Sequence, residues 1–360
     1  MIQSFFTKEQ HWLERWDLFL QQTERGLYNQ LSDWIRAYEV YGFDYQLFIL
    51  TENDQIVGGC GIVIAKFSFF KFYTVPCGPV LVQEHENQID FILTKLKNDA
   101  TTKGCCYFQI SLPVVSGTQS KFDYTLSAHL KSKVYDTGKD GTKFKYVIPL
   151  HGMRLIDLEG KTAAEVLSQF SGNHKRNIKK AQAENIRFEL VSAPALVEEA
   201  YQCIVDNANE KGFAVRSFES IKETLFAYIK KDFAQIGVCL YQDKIISAIY
   251  TIKCGNRLIY ISGGVVKEFH HLSPSHFMHY SMMNYSVEKG YKSYDISVGG
   301  SEGVIRFKEG FGSELFEFVP TKHWILKSLT FKLYELLASK LKSHKAKIAA
   351  LLFKLKKFKS

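Results

Sequence analysis

Across residues 24–41 the apolar positions Leu27, Leu31, Trp34 and Tyr38 recur every three or four residues. That is the period of one helix face, and Gly42 is placed to stop the helix. The pattern then changes. YQLFIL and IVGGCGIVIAKF are apolar runs joined by the polar turn TENDQ, which predicts two paired strands. FYTVPCGPVL is extended and punctuated by Pro76, Gly78 and Pro79. A helix over 87–103 leads into CCYFQISL, the pattern of a buried strand. VYDTGKDGTKFKYVIPL is rich in turn residues and marks a boundary.

A second pass of the same kind begins near Leu155. DLEGKTAAEVLSQFSGNHKRNIKKAQAENI predicts two helices broken at Ser171-Gly172, followed by the strand IRFELV. AYQCIVDNANEKGF and FESIKETLFAYIKKDF are further helices. QIGVCLYQ, IISAIYTIKC and RLIYISGG, separated by the turns DK and GN, predict a three-strand meander. The helix SPSHFMHYSMMNYSVEKG ends at Gly290 before the strand KSYDISV, and from Trp324 the chain reads as helical almost to its end. A strand, a polar turn and a strand with small residues occur near Ile56 and again near Ile245, which suggests two copies of one fold. The class is α/β with mixed sheets.

Composition narrows the function. A 360-residue chain with 46% hydrophobic residues can bury a large core and is long enough for two domains. Its seven cysteines form no C-x-x-C pair, the pattern of reduced, buried thiols. The start MIQSFFTKEQHWLERW lacks the apolar stretch of a signal peptide, and no run of 18 apolar residues follows anywhere, so a cytoplasmic location is expected. Charge is uneven. Residues 321–360 hold eleven lysines against Glu335, or +10, in a chain of net charge +9, so residues 1–320 sum to about −1.

The stretch YDISVGGSEGVIRFKEGFGSELFEF, with Phe307, Lys308, Phe311 and Gly312, resembles a signature of the Fem-type (FemABX) peptidoglycan aminoacyltransferases. TVPCGPVL, GNHKRNIKKAQAENIRFEL, ANEKGFAVRS and YISGG resemble other segments of that family, in the family's order, over roughly residues 25–320. Where the family has a lysine after the first helix's tryptophan, facing a nucleotide diphosphate, this chain has Arg36 and Tyr38. The resemblance implies two tandem acetyltransferase (GNAT)-like domains. The first spans 1–152 and is completed by 315–340, the second spans 153–314, and a basic amphipathic helix occupies 341–360. It also implies two substrates, an aminoacyl-tRNA and a UDP- or lipid-linked muramyl peptide, with no cofactor and no metal.

Aminoacyl transfer requires positioning of an amine against an activated ester and donors for the oxyanion that develops. On the family's signature, Lys308 with Phe307 would supply a fixed cation there; the alternative is a surface lysine flanked by core aromatics. Lys211 and Arg216 flank the KGFAVR turn and suit the precursor's phosphates. Lys175, Arg176, Lys179 and Lys180 cluster at helical spacing, able to hold phosphate or RNA backbone or simply to form a solvated face. Tyr38 and Tyr250 could stack on a sugar or base, or belong to the core. His276 and His279 have a spacing that can bind zinc, along with His270 and His271, but no cysteine or carboxylate of matching geometry accompanies them. Neither a G-x-S-x-G elbow nor a phosphate-binding glycine loop is present.

Two other functions compete. An acyl-CoA-dependent N-acyltransferase on the same fold would carry a glycine-rich turn, Arg/Gln-x-x-Gly-x-Gly/Ala, at a helix start, and none is found. A non-enzymatic RNA- or membrane-binding adaptor would use the basic tail but has no need for FKEGFG. In that tail Leu326, Leu329, Leu333, Leu336, Leu337 and Leu341 follow helical spacing, resumed by Ile348, Leu351, Leu352, Leu355 and Phe358. Such a helix suits an anionic membrane surface, with the stripe up to about Leu341 expected to pack on the first domain.

Overall fold

The computed structural model describes residues 1–115, 132–147 and 149–341, the last three as backbone only. The first half contains β1 (Ile2–Thr7), α1 (Gln10–Gln22), α2 (Ser32–Arg36), β2 (Asp44–Glu52), β3 (Gln55–Phe67), β4 (Phe70–Val75) and β5 (Val80–Leu81). It continues through α3 (Ile89–Thr102), β6 (Tyr107–Ile110), α4 (Lys133–Asp136) and β7 (Lys139–Asp140). The second half opens with β8 (Gly152–Asp157), α5 (Ala163–Ser168), α6 (Gly172–Ala183), β9 (Arg187–Val191), α7 (Pro194–Lys211) and α8 (Phe218–Lys230). The meander β10 (Ala234–Tyr241), β11 (Lys244–Cys254) and β12 (Arg257–Val265) follows, then α9 (Pro274–Glu288), β13 (Ser293–Asp295), α10 (Glu302–Glu309) and β14 (Glu314–Glu317). β15 (Lys322–Ile325) and α11 (Ser328–Leu341) close the described chain.

Local chemistry explains several of these boundaries. Thr162 and Glu165 form a reciprocal capping box that starts α5, and the Ser171 side chain caps α6 by accepting from the His174 N–H. Pro194 opens α7, where a missing N–H leaves no helical bond unmade, and Gly212 ends that helix in the left-handed region at φ 70°.

Among the described residues the strands form two mixed sheets. One has eight strands in the order β1-β2-β3-β4-β6-β15-β7, with β5 on β3, and the other runs β14-β8-β13-β12-β11-β10-β9. Each contains an antiparallel meander and one parallel pair, β4–β6 in the first and β12–β13 in the second. β12 and β13 pair only from Arg257–Ser293 to Ile259–Asp295, after which β12 continues to Val265 paired with β11 but not with β13. The strands therefore part at Asp295, where the loop into α10 begins. β15 returns from the far end of the chain to pair with β6.

The expected helix over 24–41 is instead three short pieces: 3-10 turns at Tyr28–Gln30 and Ala37–Tyr41 around α2. Tertiary bonds break it. The Asp17 carboxylate accepts from the Ser32 N–H and hydroxyl, both at 2.7 Å, while Trp16 Nε1 donates to the Gln30 carbonyl at 2.8 Å. Leu31 is extended as a result. Trp324 lies in β15 rather than in a helix, because its backbone pairs with Phe108. The leucine stripe also departs from expectation. Leu326 is partly buried, but α11 packs through Phe331 and Tyr334, and Leu329, Leu333, Leu336 and Leu337 are exposed. Ile348, Leu351, Leu352, Leu355 and Phe358 lie outside the described residues.

One apolar core joins the two halves, with Trp16 and Leu20 clustering with Tyr201, Tyr228 and Tyr250. Beside it the buried Asp33 and Asp17 carboxylates meet the more exposed Lys231, at 2.8 Å and 3.6 Å. Burial lifts the Asp17 carboxyl to about 6, against the opposing effects of Ser32 and Lys231. A raised carboxyl pKa favours the fold below the unfolded value near 4, and that contribution is lost as pH rises through about 6. Asp17→Asn keeps an oxygen for the Ser32 N–H and removes the titration. Denaturant melts are expected to show the variant gaining on wild type by on the order of 2–3 kcal/mol between pH 4 and pH 7. A difference that stays constant over that range contradicts the assignment.

Candidate active site

Lys308 faces the core from α10 and is only 4% exposed. Its Nζ donates to the Ser297 carbonyl at 3.0 Å, the Ser297 hydroxyl at 2.9 Å and the Gly299 carbonyl at 2.6 Å. All three ammonium protons are thus used on the loop between β13 and α10. That loop holds Ser297 at φ 63° and Gly300 at φ 140°, so a non-glycine residue sits in the left-handed region where Lys308 ties it down. Asp295, at the strand's end, accepts from the Ser297 N–H at 2.8 Å and the Arg154 N–H at 3.1 Å. Burial raises the Asp295 carboxyl pKa, while the two N–H bonds, Arg257 and Lys308 oppose the rise. Burial lowers the Lys308 ammonium to about 8, with Asp295 opposing and Arg154 reinforcing.

Phe307 lies beside this cation in a nest of aromatic rings. Its ring centroid is 5.0 Å from His276, 5.4 Å from His174, 5.7 Å from His279 and 5.2 Å from Phe311. His174 Nε2 lies 2.8 Å from the Phe307 carbonyl and so donates to it. Gly310 makes that contact possible, since a Cβ there would fall 2.0 Å from the His174 ring. Phe311 is fully buried, and Gly312 turns the chain at φ 75°. Desolvation lowers His276 to about 4 and His279 to about 3, and lowers His174 as well, so the three imidazoles are neutral at physiological pH. His270 and His271 are on a separate 3-10 segment before α9. Among the described residues no group of three His, Cys, Asp or Glu is arranged to hold a metal ion.

A second cluster lies where the halves meet. Arg216, in the loop between α7 and α8, places its guanidinium 4.9 Å from the Trp34 ring and 5.2 Å from the Tyr38 ring. Its carbonyl accepts from the Tyr201 hydroxyl at 3.0 Å. Among the described residues, the buried Arg216 Nη1 and the Tyr250 hydroxyl have no hydrogen-bond partner. The Tyr28 ring meets Trp34 edge-on at 4.7 Å, and burial, with a smaller effect of Asp295 among its neighbours, raises its phenol pKa.

The fold therefore gathers Lys308, Phe307, Phe311 and Gly312 into one cluster and Arg216 with Tyr38 into another. Arg36 is exposed and paired with Asp33, and Lys211 is exposed at the end of α7. Lys175 is half-buried and donates to the Ser168 carbonyl at 2.7 Å, and exposed Arg176 reaches Asn173. Sequence reasoning passed over His174, Asp295, Arg154, Tyr28 and the stacking role of Trp34. Asp295 alone had a local signal, its place in YDISVGG.

Comparison with known proteins places this geometry in context. The FemAB family model matches residues 13–238, and an acetyltransferase (GNAT) domain model matches residues 168–309. Aminoacyltransferase FemA of Staphylococcus epidermidis is 22% identical, covering 82% of this chain and 91% of that protein. The crystal structure of FemX matches with a TM-score of 0.76 at 15% identity, covering 91% of this chain and 99% of that one. A tandem GNAT protein from the clavulanic acid biosynthesis pathway matches with a TM-score of 0.52 at 8% identity, covering 91% and 99%. The fold is a tandem pair of GNAT-like domains.

Proposed function

The chain belongs to the FemAB family and is an aminoacyltransferase, and from that premise we propose that it transfers an amino acid from aminoacyl-tRNA to the stem-peptide amine of a peptidoglycan precursor. The observation that carries this reading is the buried Lys308 cation, fixed where β12 and β13 part. The stem-peptide amine attacks the ester carbonyl, a C–N bond forms, and the C–O bond to the tRNA ribose breaks. The proton leaving the amine goes to the departing ribose oxygen. Lys308 faces the negative charge that develops between those events. Of its three acceptors the Ser297 hydroxyl can rotate away, leaving one N–H for the reacting oxygen. Arg216, with a buried and unpaired Nη1 above two aromatic rings, suits the diphosphate of a UDP- or lipid-linked acceptor.

The α9 start favours a tRNA donor over acyl-CoA. Residues 268–273 contain no glycine, Pro274 has no N–H to offer, and Asn177 of α6 lies 3.2 Å from His276 in the first turn. No helix among the described residues is long and apolar enough to cross a membrane. With charged tRNA as donor, the reaction would run in the cytoplasm.

The active form of Lys308 is the cation, which is lost as pH rises through about 8. Single-turnover rates are expected to fall above that pH with a slope of one proton, and a flat profile from pH 7 to 10 contradicts the role. Donor class is tested by supplying radiolabelled aminoacyl-tRNA or acetyl-CoA with a muramyl-peptide acceptor. Label transfer that ribonuclease abolishes supports the proposal. Label taken from acetyl-CoA while charged tRNA is inert sinks it.

A further inference from the structure

α11 carries apolar residues on two faces. Phe331 and Tyr334 form the packed face, Phe331 stacking on Tyr107 at 5.1 Å and Tyr334 meeting Phe72 at 4.6 Å. Leu329, Leu333 and Leu337 follow one another at i, i+4 and i+8, a single stripe on a helix. They are 85%, 43% and 41% exposed. Phe69 and Tyr146 are exposed on the neighbouring segments: Phe69 touches Phe70 at 4.1 Å, Phe70 meets Tyr334 at 5.6 Å, and Tyr146 meets Phe67 at 5.1 Å. Leu329 is almost wholly in water and Leu333 and Leu337 leave about two fifths of their surface there, and such leucines along one stripe mark a surface that meets an apolar partner.

The charges around the stripe indicate which partner. Lys66, Lys143, Lys145, Lys327 and Lys332 are exposed on these same segments, and Glu335, the acid of α11, is paired with Lys143 at 3.5 Å. Residues 342–360 continue the chain from α11 with seven lysines and no acid. We propose that this face of the first domain, the α11 leucine stripe with its surrounding lysines, docks on an anionic phospholipid bilayer. A second copy of the chain would bring the same lysines against themselves across a two-fold axis. RNA would satisfy the lysines but leave the leucines in water, whereas a bilayer interface accommodates both, with leucines among the acyl chains and lysines among the headgroups. The inference rests on the first domain's surface alone and holds whatever group the site transfers.

Vesicle co-sedimentation of the full chain tests it, using phosphatidylcholine alone and phosphatidylcholine with phosphatidylglycerol. Leu329→Gln/Leu333→Gln/Leu337→Gln keeps helix-forming residues, so its melting temperature should match wild type. Wild type is expected to bind the anionic vesicles at least tenfold better than the neutral ones, and the triple variant to lose that binding at least tenfold. A second variant, Lys327→Gln/Lys332→Gln, should weaken binding and reduce its salt dependence, leaving the fold intact. Equal binding by wild type and the triple variant, or no binding by wild type, overturns the inference. So does a wild-type dimer by light scattering that the triple variant abolishes while vesicle binding is unchanged.

Discussion

Lys308→Ala is expected to lower the single-turnover rate by about 10²–10³-fold, the usual effect of removing one donor aimed at a developing oxyanion. The ammonium is buried, and its acceptors among the described residues are Ser297 and Gly299, so alanine removes every contact that holds a donor at this position. Arginine is not expected to rescue the rate, because a planar guanidinium cannot match three acceptors arranged around a tetrahedral nitrogen. Ser297→Ala separates the cation from the loop it ties down: one hydroxyl contact is lost, the two carbonyl contacts remain, and a much smaller loss of rate is expected. Rate measurement beside circular dichroism and thermal melts checks all three variants. A folded Lys308→Ala enzyme within threefold of wild type removes Lys308 from the chemistry.

Arg216→Ala should act on binding instead. A charge-assisted hydrogen bond to phosphate stabilises by about 1.5–3 kcal/mol, so KM for a diphosphate-bearing acceptor is expected to rise about tenfold to a hundredfold. The same variant should treat a phosphate-free muramyl peptide much as wild type does. Arg216→Lys should recover only part of the loss, since lysine keeps the charge but not the planar group over Trp34 and Tyr38. Lys211, exposed at the helix end, is expected to change KM no more than about twofold on replacement by alanine. Equal losses with both acceptors would show that Arg216 supports the fold rather than the phosphates.

Local signals in the chain carried much of the fold. The break at Ser171-Gly172 was legible because Ser171 caps the next helix, and the meander β10–β12 was legible from its apolar runs and the turns DK and GN. Segments shaped by distant partners were not. Residues 24–41 have the period of a helix, yet bonds from Trp16 and Asp17 break it, and Trp324 is drawn into a strand by Phe108. The site divides the same way. FKEGFG marked Lys308 and Phe307, but nothing in GNHKR indicates that His174 bonds the Phe307 carbonyl 133 residues away. Arg216 was visible as a cation beside a turn, and its stack on Trp34 exists only once the two halves pack together.

Mass analysis of the acceptor tests the proposed reaction most directly. The purified chain is incubated with charged tRNA and a UDP- or lipid-linked muramyl peptide, and the stem peptide is then weighed and fragmented. The expected result is a mass gain of one amino-acid residue, located on the stem-peptide side-chain amine and absent when the tRNA is uncharged. An unmodified stem peptide from a folded enzyme with charged tRNA, or an acetyl group in its place when acetyl-CoA is supplied, would contradict it.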